Sequence, residues 1–276
     1  KASVLKLGKL GAGAVTLKSI CHEERVGHAG PNMFVFDTGM LNAVGLPGQG
    51  IASACLDFER LDDLPVPVIG SVFGYTVEQF AEVAQKMADI KPALIELDIS
   101  CPHVNYEKPF YADANSIAEI TRLVKKKTGR IPIAVKLSPN VHNIAELAVA
   151  AENAGADAIT AINTASGMVI DIDVRRPILG NKSGGVSGPA LRPIAVRCVY
   201  EIYNAVKIPI IGTGGVTSGR DAIEMIMAGA TAVGVGSALY YRGISAFSDI
   251  AREMREWMRK TGVTHIDEHR GAAHAN

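Results

Sequence analysis

Short apolar runs alternate along this chain with longer segments in which apolar positions recur at helical spacing. The runs are rich in Val and Ile and are bounded by turn residues, a pattern typical of strands buried on both faces of a parallel sheet. The pattern predicts seven strands, at residues 14–20, 66–72, 94–100, 131–137, 156–163, 208–212 and 232–235.

The segments between these runs carry the apolar stripe of helices that pack on a core. They predict helices at residues 77–89, 116–128, 144–154, 193–205, 219–228 and 246–261. Residues that favour helix starts stand near several of these boundaries, namely Thr76, Asn115, Asn143 and Ser218. Glycines that favour helix ends follow others, at Gly129, Gly155 and Gly229.

This repeat of strand and helix predicts an α/β fold, and the near-continuous apolar strands favour a closed (β/α)₈ TIM barrel over an open doubly wound sheet. A barrel needs eight strands, so we expect the first strand to be missing from this chain or to be very unlike the others. Residues 21–64 contain several prolines and glycines and predict a small β-rich excursion at the barrel mouth. No linker or charge block divides the chain, so we expect residues 1–276 to form a single domain.

Composition narrows the classes of function. Lys plus Arg and Asp plus Glu number 28 each, so neither nucleic acid nor an anionic membrane is an expected partner. No apolar run reaches the roughly 18 residues that span a bilayer and no signal peptide is evident, so we expect a cytoplasmic protein. Cys21, Cys55 and Cys198 are expected to be buried small hydrophobes. The histidines are scattered, and no metal site is predicted.

Polar and Gly-rich residues concentrate at the predicted carboxyl ends of the strands, where barrel enzymes place their chemistry. Two neighbouring strands are followed by glycine-rich stretches, at residues 212–215 and 234–237. Glycine lets backbone N–H groups approach a phosphate, and a helix N-terminus favours the anion. Either stretch alone would more often be a tight turn, but the pair favours a phosphate site. Neither has the spacing of a dinucleotide fingerprint, so a mononucleotide such as FMN fits better than NAD.

Lys18 and Lys136 each end an apolar strand. A lysine in that position needs an anionic partner, because burying an unpaired ammonium is costly. The N1–O2 edge of a flavin becomes anionic on reduction and would be such a partner. The alternative interpretation is a salt bridge at the barrel rim.

Cys101 follows another predicted strand and begins a polar loop that could fold over a ligand. A thiol with a reference pKa of about 8.5 can move a proton near neutral pH, although a lone cysteine can equally be a buried small hydrophobe. Asn42, Asn163 and Thr164 offer neutral donors and acceptors that suit an amide-rich planar ring. For Asn42, in a predicted loop, the alternative is an ordinary turn residue.

Several stretches together are more specific than any of them alone. They are Val-Thr-Leu-Lys-Ser at 15–19, Gly-Met-Leu-Asn-Ala-Val-Gly-Leu at 39–46, Glu-Leu-Asp-Ile-Ser-Cys-Pro at 96–102, Val-Lys-Leu-Ser-Pro-Asn at 135–140, Ile-Asn-Thr at 162–164, Gly-Gly-Val-Ser-Gly-Pro at 184–189 and Ile-Gly-Thr-Gly-Gly-Val at 211–216. Their combination resembles the dihydroorotate dehydrogenases over nearly the whole chain. The resemblance implies an FMN-dependent oxidoreductase of the CH–CH class that converts dihydroorotate to orotate in de novo pyrimidine (UMP) biosynthesis.

The resemblance also implies a role for each candidate residue. The flavin contacts are Lys18, Ser71, Lys136 and Asn163, with the phosphate held by Ser187, Gly188, Gly214, Gly215, Gly236 and Ser237. The pyrimidine contacts are Lys18, Asn42, Gly45, Leu46, Asp98, His103, Asn163 and Thr164. Cys101 is implied as the base that takes the C5 proton while the C6 hydride passes to flavin N5. A cysteine at this position is similar to the class 1 enzymes, and most similar to the catalytic subunit of type 1B.

Asp98 and His103 depart from the family pattern, which commonly has Asn at both positions. An ionised Asp98 near the orotate carboxylate is unfavourable unless it pairs with a cation or is protonated. His103 resembles the corresponding residue of dihydropyrimidine dehydrogenase, so interconversion of a neutral pyrimidine and its dihydro form stays open. A non-catalytic flavin-binding subunit is a further alternative.

The likeness to type 1B also implies partners. It implies a second subunit that carries FAD and an iron–sulfur cluster. This chain has too few clustered cysteines to hold such a cluster itself. Electrons would then pass to NAD, with fumarate or another direct acceptor as the alternative. The assembly implied is a homodimer or a heterotetramer.

Overall fold

The computed structural model describes residues 2–58, 61–100 and 110–275. The strands in this part of the chain are β1 Val15–Thr16, β2 Glu24–Arg25, β3 Met33–Phe36, β4 Gly39–Asn42, β5 Gly48–Gln49, β6 Val68–Val72, β7 Leu94–Asp98, β8 Ile133–Leu137, β9 Ala158–Ala161, β10 Ala165–Gly167, β11 Ile170–Asp171, β12 Arg176–Pro177, β13 Gly184–Ser187, β14 Ile210–Thr213 and β15 Ala232–Gly234. The α-helices are α1 Ala2–Lys9, α2 Gly50–Asp57, α3 Val77–Asp89, α4 Ala114–Thr128, α5 Ile144–Asn153, α6 Arg192–Ala205, α7 Gly219–Met227, α8 Ala238–Arg242 and α9 Ala246–Thr261.

Seven of the described strands form one parallel sheet in the order β1-β6-β7-β8-β9-β14-β15. These are the seven strands that the apolar runs predict, and the α/β class is confirmed. Two hydrogen bonds between side chains pass over an intervening strand. Thr160 on β9 donates to Glu96 on β7 at 2.9 Å, and Ser19 beyond β1 donates to Asp98 on β7 at 2.8 Å. Such contacts require a strongly curved sheet with these side chains on its concave face, which agrees with a TIM-like α/β fold.

Strand β1 is much shorter than the predicted run 14–20, because its regular pairing with β6 ends after Thr16. The chain nevertheless continues beside β6. The Leu17 amide donates to Ile69 O at 2.9 Å, and the Ile20 amide donates to Ser71 O at 3.0 Å. This irregular continuation places Lys18 and Ser19 at the edge of the sheet where the candidate site lies.

Helices cover the outside of the parallel sheet, and their apolar faces supply much of the core. Helix α3 has the predicted bounds, and its Phe80, Val83 and Met87 are completely buried. Helix α9 also has the predicted bounds. Within the described residues, no helix has both the length and the apolar character needed to cross a membrane.

Side-chain caps explain the starts of four of the described helices, α3, α4, α5 and α7. Thr76 accepts from the Gln79 amide at 3.2 Å, and Ser218 forms a reciprocal capping box with Asp221. The expectation for Asn115 is wrong, because it lies inside the first turn of α4. The carboxylate of Asp113 caps that helix instead, so α4 begins two residues before the predicted start.

The stretch 21–64 contains four short strands, β2 to β5, and also α2, which the pattern did not predict. Strands β3 and β4 join β13 and β10 in an antiparallel sheet of order β10-β13-β4-β3. This small sheet encloses its own apolar cluster of Leu41, Ala43 and Leu179. Two chain segments far apart in sequence therefore form one structure, and its register sets Asn42 opposite Gly185.

Candidate active site

The carboxyl ends of β1, β6, β7, β8 and β9 surround a cavity of about 310 Å³, which the segment after β4 completes. The cavity collects the described flavin and pyrimidine candidates outside the phosphate group. They are Lys18, Asn42, Gly45, Leu46, Ser71, Asp98, Lys136, Asn163 and Thr164. The structure thus brings together residues that are distant in sequence, while the role of each residue stays a prediction.

A larger cavity of about 620 Å³ lies among the outer helices α6, α7 and α9 and is lined by Arg192, Tyr200 and Trp257, among others. Arg192 is paired there with Asp221 and Glu224. This cavity contains none of the candidate site residues. The smaller cavity therefore remains the candidate active site, because the converging polar groups lie there.

Lys136 reaches the cavity from the end of β8. Its Nζ lies 3.9 Å from Glu96 Oε1 and 3.7 Å from Asp98 Oδ2, and its side chain is 21% exposed. Lys136 therefore does form ion pairs with carboxylates of the protein, as the alternative interpretation of a salt bridge requires. The carboxylate partners, however, lie in the buried floor of the cavity, and Lys136 also lines the cavity itself. A ligand anion would be a further partner for this ammonium.

Asp98 is buried beneath the cavity and is surrounded by donors. Ser100 Oγ donates to Asp98 Oδ1 at 2.7 Å, and Ser19 Oγ donates to Asp98 Oδ2 at 2.8 Å. Burial by itself would raise the pKa of Asp98, but Lys136, the two hydroxyls and Lys18 together hold it below its ordinary value. The structure thus supplies the cations that an ionised carboxylate at this position requires.

Glu96 is a site residue that the sequence reasoning missed. It is 4% exposed, and it accepts hydrogen bonds from Ser71 at 3.1 Å and from Thr160 at 2.9 Å. The Ser71 and Ser19 hydroxyls lie 3.0 Å apart, so the surroundings of Glu96 and Asp98 are continuous. A signal was present in the sequence, since two acidic residues at spacing i, i+2 in an apolar strand face the same side.

Asn163 connects the cavity to the end of β7. Its Nδ2 donates to Ser100 Oγ at 2.9 Å and to Ser100 O at 3.3 Å, while its Oδ1 accepts from the Thr164 amide at 2.8 Å. The predicted base Cys101 and the pyrimidine candidate His103 lie outside the described residues. Cys101 is bonded directly to Ser100, whose carbonyl and hydroxyl are both held by Asn163.

Asn42 ends strand β4 and is therefore not the loop residue that the sequence suggested. Its Nδ2 approaches Gly185 O at 3.4 Å across the small antiparallel sheet. Gly185 itself has no room for a side chain, because a Cβ would lie 2.0 Å from Thr164 Oγ1. This close approach holds Thr164 against β13 and beside the cavity.

The segment of Gly45 and Leu46 has an unusual backbone. Gly45 has a φ of 79°, and Leu46 has a φ of 52°, which non-glycine residues rarely adopt. Arg25 Nη2 donates to Gly45 O at 3.0 Å, and its guanidinium lies 5.8 Å from the ring centre of Phe73 and 5.5 Å from that of Tyr75. The strained backbone is therefore held from the neighbouring segment.

The two glycine-rich strand ends are adjacent, as the sequence predicts. Thr213 pairs with Gly234 across β14 and β15, and its Oγ1 donates to Gly234 O at 3.3 Å. A Cβ on Gly215 would lie 2.8 Å from Gly188 O, whereas a Cβ on Gly236 would meet nothing within 4 Å. The region thus combines close backbone contacts with open space at Gly236, an arrangement that fits a phosphate. The remaining candidates, Ser187, Gly214 and Ser237, lie at the ends of β13 and β14 and at the start of α8.

The described cysteines are free thiols. Cys21 and Cys198 are buried as predicted, and burial raises the pKa of Cys198 to about 11. Cys55 is only partly buried, so that expectation is wrong: it lies on α2, a short helix at the edge of the structure. In the described part of the chain, no three His, Cys, Asp or Glu side chains form a group able to hold a metal ion.

Comparison with known proteins gives matches over most of the chain. The family model described as dihydroorotate dehydrogenase matches residues 1–258. The catalytic subunit of dihydroorotate dehydrogenase B (NAD(+)) from Methanosarcina mazei is 44% identical over 265 residues, which cover 96% of this chain and 84% of the relative. The subunit of the same name from Pyrococcus abyssi is 42% identical over 264 residues, covering 95% of this chain and 87% of the relative.

Proposed function

Since this chain belongs to the dihydroorotate dehydrogenase family, we propose that it oxidises dihydroorotate to orotate in pyrimidine biosynthesis. Family membership confirms the resemblance that the sequence motifs indicate and makes the chain an oxidoreductase of the CH–CH class. The observation that carries the proposal is the single cavity in which Lys18, Lys136, Asn42, Asn163 and Thr164 converge at the strand ends.

The family is flavin-dependent, and we propose FMN as the flavin of this chain. The donor set suits it, because Lys18, Lys136 and Asn163 border the cavity and the adjacent glycine-rich ends offer backbone groups and open space for one phosphate. When bound, FMN would accept the hydride that leaves substrate C6. Release of the cofactor and its identification by mass would test this, and FAD or the absence of a flavin would contradict it.

Oxidation of dihydroorotate removes a hydride from C6 and a proton from C5, which creates the C5=C6 double bond. The flavin takes only the hydride, so a base must take the proton. We assign that role to Cys101, which follows Ser100 directly at the end of β7. Asn163 would hold the pyrimidine and the strand end together, since it already binds both atoms of Ser100 that face it.

Anaerobic flavin reduction by dihydroorotate tests this assignment. Cys101→Ala should keep its flavin and reduce it about 10²–10⁴-fold more slowly, the usual cost of losing a general base. Cys101→Ser should be slow and recover as pH rises, because a hydroxyl is a poorer base. Asp98→Asn and His103→Asn serve as controls for other proton carriers near the strand end. A wild-type reduction rate in Cys101→Ala, with slow reduction in one of the controls, would reassign the base.

A second candidate function is favoured by one observation. Asp98 lines the cavity as a buried anion, and two carboxylates already partner the lysines there. A substrate that brings another carboxylate would add to this negative charge, whereas a neutral pyrimidine would not. Turnover of dihydroorotate and of dihydrouracil by the same preparation separates the two functions, and Asp98→Asn should favour dihydroorotate if Asp98 sets the preference.

The relatives named above are catalytic subunits of NAD(+)-type enzymes, and we propose a partner subunit for this chain as well. That subunit would carry FAD and an iron–sulfur cluster, in a heterotetramer built on a homodimer in the cytoplasm. The isolated chain should then reduce NAD poorly and artificial acceptors well.

We also propose that an eighth strand between the edge strands β1 and β15 closes the barrel, with the 21–64 excursion at its mouth.

A further inference from the structure

The proposed chemistry gives no role to Glu96, a buried acidic residue in the floor of the cavity. Glu96 lies on β7, in register with Ser71 of β6 and Ala134 of β8, and is 4% exposed. Ser71 and Thr160 donate to its two different oxygens. These donors stand on strands to either side of β7, so the carboxylate is fixed in orientation.

The cavity side of Glu96 is occupied by Lys136. The ammonium lies 3.9 Å from Glu96 Oε1 and 3.7 Å from Asp98 Oδ2. Lysine has a long flexible stem, and its ammonium has no fixed hydrogen-bond geometry of its own. Two fixed carboxylates therefore help to set where the charged end of Lys136 lies.

We propose that Glu96 is a positioning residue that favours the protonated form of Lys136 and holds its ammonium at the cavity floor. The importance of this for catalysis rests on the proposed function, because only a charged Lys136 can stabilise the anionic edge of a reduced flavin. Glu96 lines the cavity, but its proposed role is not contact with the substrate. It acts through Lys136.

Electrostatics gives the sign of the expected effect. Among the described residues, the charged groups that share this floor are Glu96 and Asp98 of β7 and Lys18 beyond β1, which acts on Asp98. Glu96→Gln removes one of the two carboxylates that lie within 4 Å of the Lys136 ammonium. The loss of the Glu96 carboxylate and the remaining charge of Lys18 both disfavour the protonated form of Lys136. Lys136 should therefore lose its proton at a lower pH in the variant than in the wild type.

The direct test follows lysine titration by NMR in the full chain as purified, with ¹³C at the lysine Cε atoms. Lys136→Met identifies the Lys136 signal. In Glu96→Gln its midpoint should fall by about one pH unit or more. Thr160→Val is the matched control, because it removes a hydrogen bond to Glu96 but leaves every charge in place, and its midpoint should stay near that of the wild type. An unchanged midpoint in Glu96→Gln overturns the proposal.

A double-mutant cycle keeps the proposal testable if Glu96→Gln is too unstable for NMR. If the loss comes from an unpaired Lys136, Glu96→Gln should lower the Tm by about 6 °C or more in the wild-type background and far less in the Lys136→Met background. A role limited to holding strands together would lower the Tm equally in both backgrounds. Equal losses in the two backgrounds contradict the proposal.

These tests are independent of the proposed function. The titration shift and the thermal coupling concern Glu96 and Lys136 whether or not FMN is the cofactor. A preparation that contains no FMN but shows both effects would overturn the proposed function and leave this inference standing. A preparation that contains FMN and oxidises dihydroorotate but shows neither effect would do the reverse.

Discussion

An ion pair on the surface of this molecule is short and exposed, whereas the ion pairs of Lys136 at the cavity floor are longer and mostly buried. On the outside of α6, Arg197 Nη1 lies 2.6 Å from Glu201 Oε1, and the two side chains are 53% and 40% exposed. At the cavity floor, Lys136 lies 3.7 Å from Asp98 and 3.9 Å from Glu96, whose side chains are only 4% and 6% exposed. The longer contacts should matter more, because water screens the exposed surface pair, whereas the two floor carboxylates are almost completely buried.

The floor tolerates this charge because its carboxylates are hydrogen-bonded as well as paired. Ser19 and Ser100 donate to Asp98, and Ser71 and Thr160 donate to Glu96. A buried ion pair without such donors would be destabilising relative to apolar residues. The exposed charges of the surface pair stay in contact with water. Removing one of them therefore leaves no buried charge without a partner, and little stability is lost.

Loss of the floor cation should have the largest effect. Lys136→Met leaves two buried carboxylates without their main partner, which typically costs about 3–5 kcal/mol. Urea denaturation at neutral pH would measure the free energy of unfolding. The deficit should shrink at lower pH, where the carboxylates can take up protons, and a deficit that does not vary with pH would show that packing rather than charge causes it.

Asp98→Asn should lower the free energy of unfolding by a smaller amount, about 1–3 kcal/mol. The substitution removes the charge from the hydrogen bonds but keeps the size and shape of the side chain. The pKa of Asp98 is lower in the folded protein than its ordinary value. Its contribution is therefore present above the unfolded pKa of about 3.9 and is lost as pH falls through the folded pKa. Unfolding free energies of wild type and variant should differ at pH 7 and converge below about pH 4. If the difference in unfolding free energy grew as the pH fell, folding would raise the pKa of Asp98 rather than lower it.

Thr160→Val tests the hydrogen bonds of the floor without changing its charge. One oxygen of Glu96 loses its donor, which should cost about 1 kcal/mol. The cost should be similar at all pH values between about 5 and 8, since no charge is removed. Thermal unfolding over that range would measure it, and a strong pH dependence would mean that Thr160 controls the ionisation of its neighbour.

Arg197→Ala should have the smallest effect, about 0.3–0.5 kcal/mol for an exposed i, i+4 pair on a helix. Addition of salt should reduce even this difference, because exposed charges are screened. Denaturation of both proteins at low and high ionic strength would measure it. A loss as large as that of Lys136→Met would mean that burial is not what separates the two pairs.

The parallel strands and six of the nine described α-helices were predictable, because each of these elements is encoded by a local pattern. Helix α3 follows directly from Thr76 as its cap and from an apolar stripe that includes Phe80 and Met87. The β13–β4 pairing was not predictable, since Asn42 and Gly185 are far apart in the chain and neither segment contains a signal for the other. Glu96 was missed although its i, i+2 spacing from Asp98 was a signal, because that spacing does not show which residues the two carboxylates face.

The sequence by itself determined the α/β class, the seven parallel strands and the family, and it pointed to Lys18, Lys136 and Asn163 at strand ends. Alternation along a strand and the direction of a parallel sheet are local rules, so they can be read from one chain. Only the tertiary structure decided that the lysines share a floor with Glu96 and Asp98. Curvature brings together side chains from strands that are not neighbours, and the resulting burial sets which charges persist.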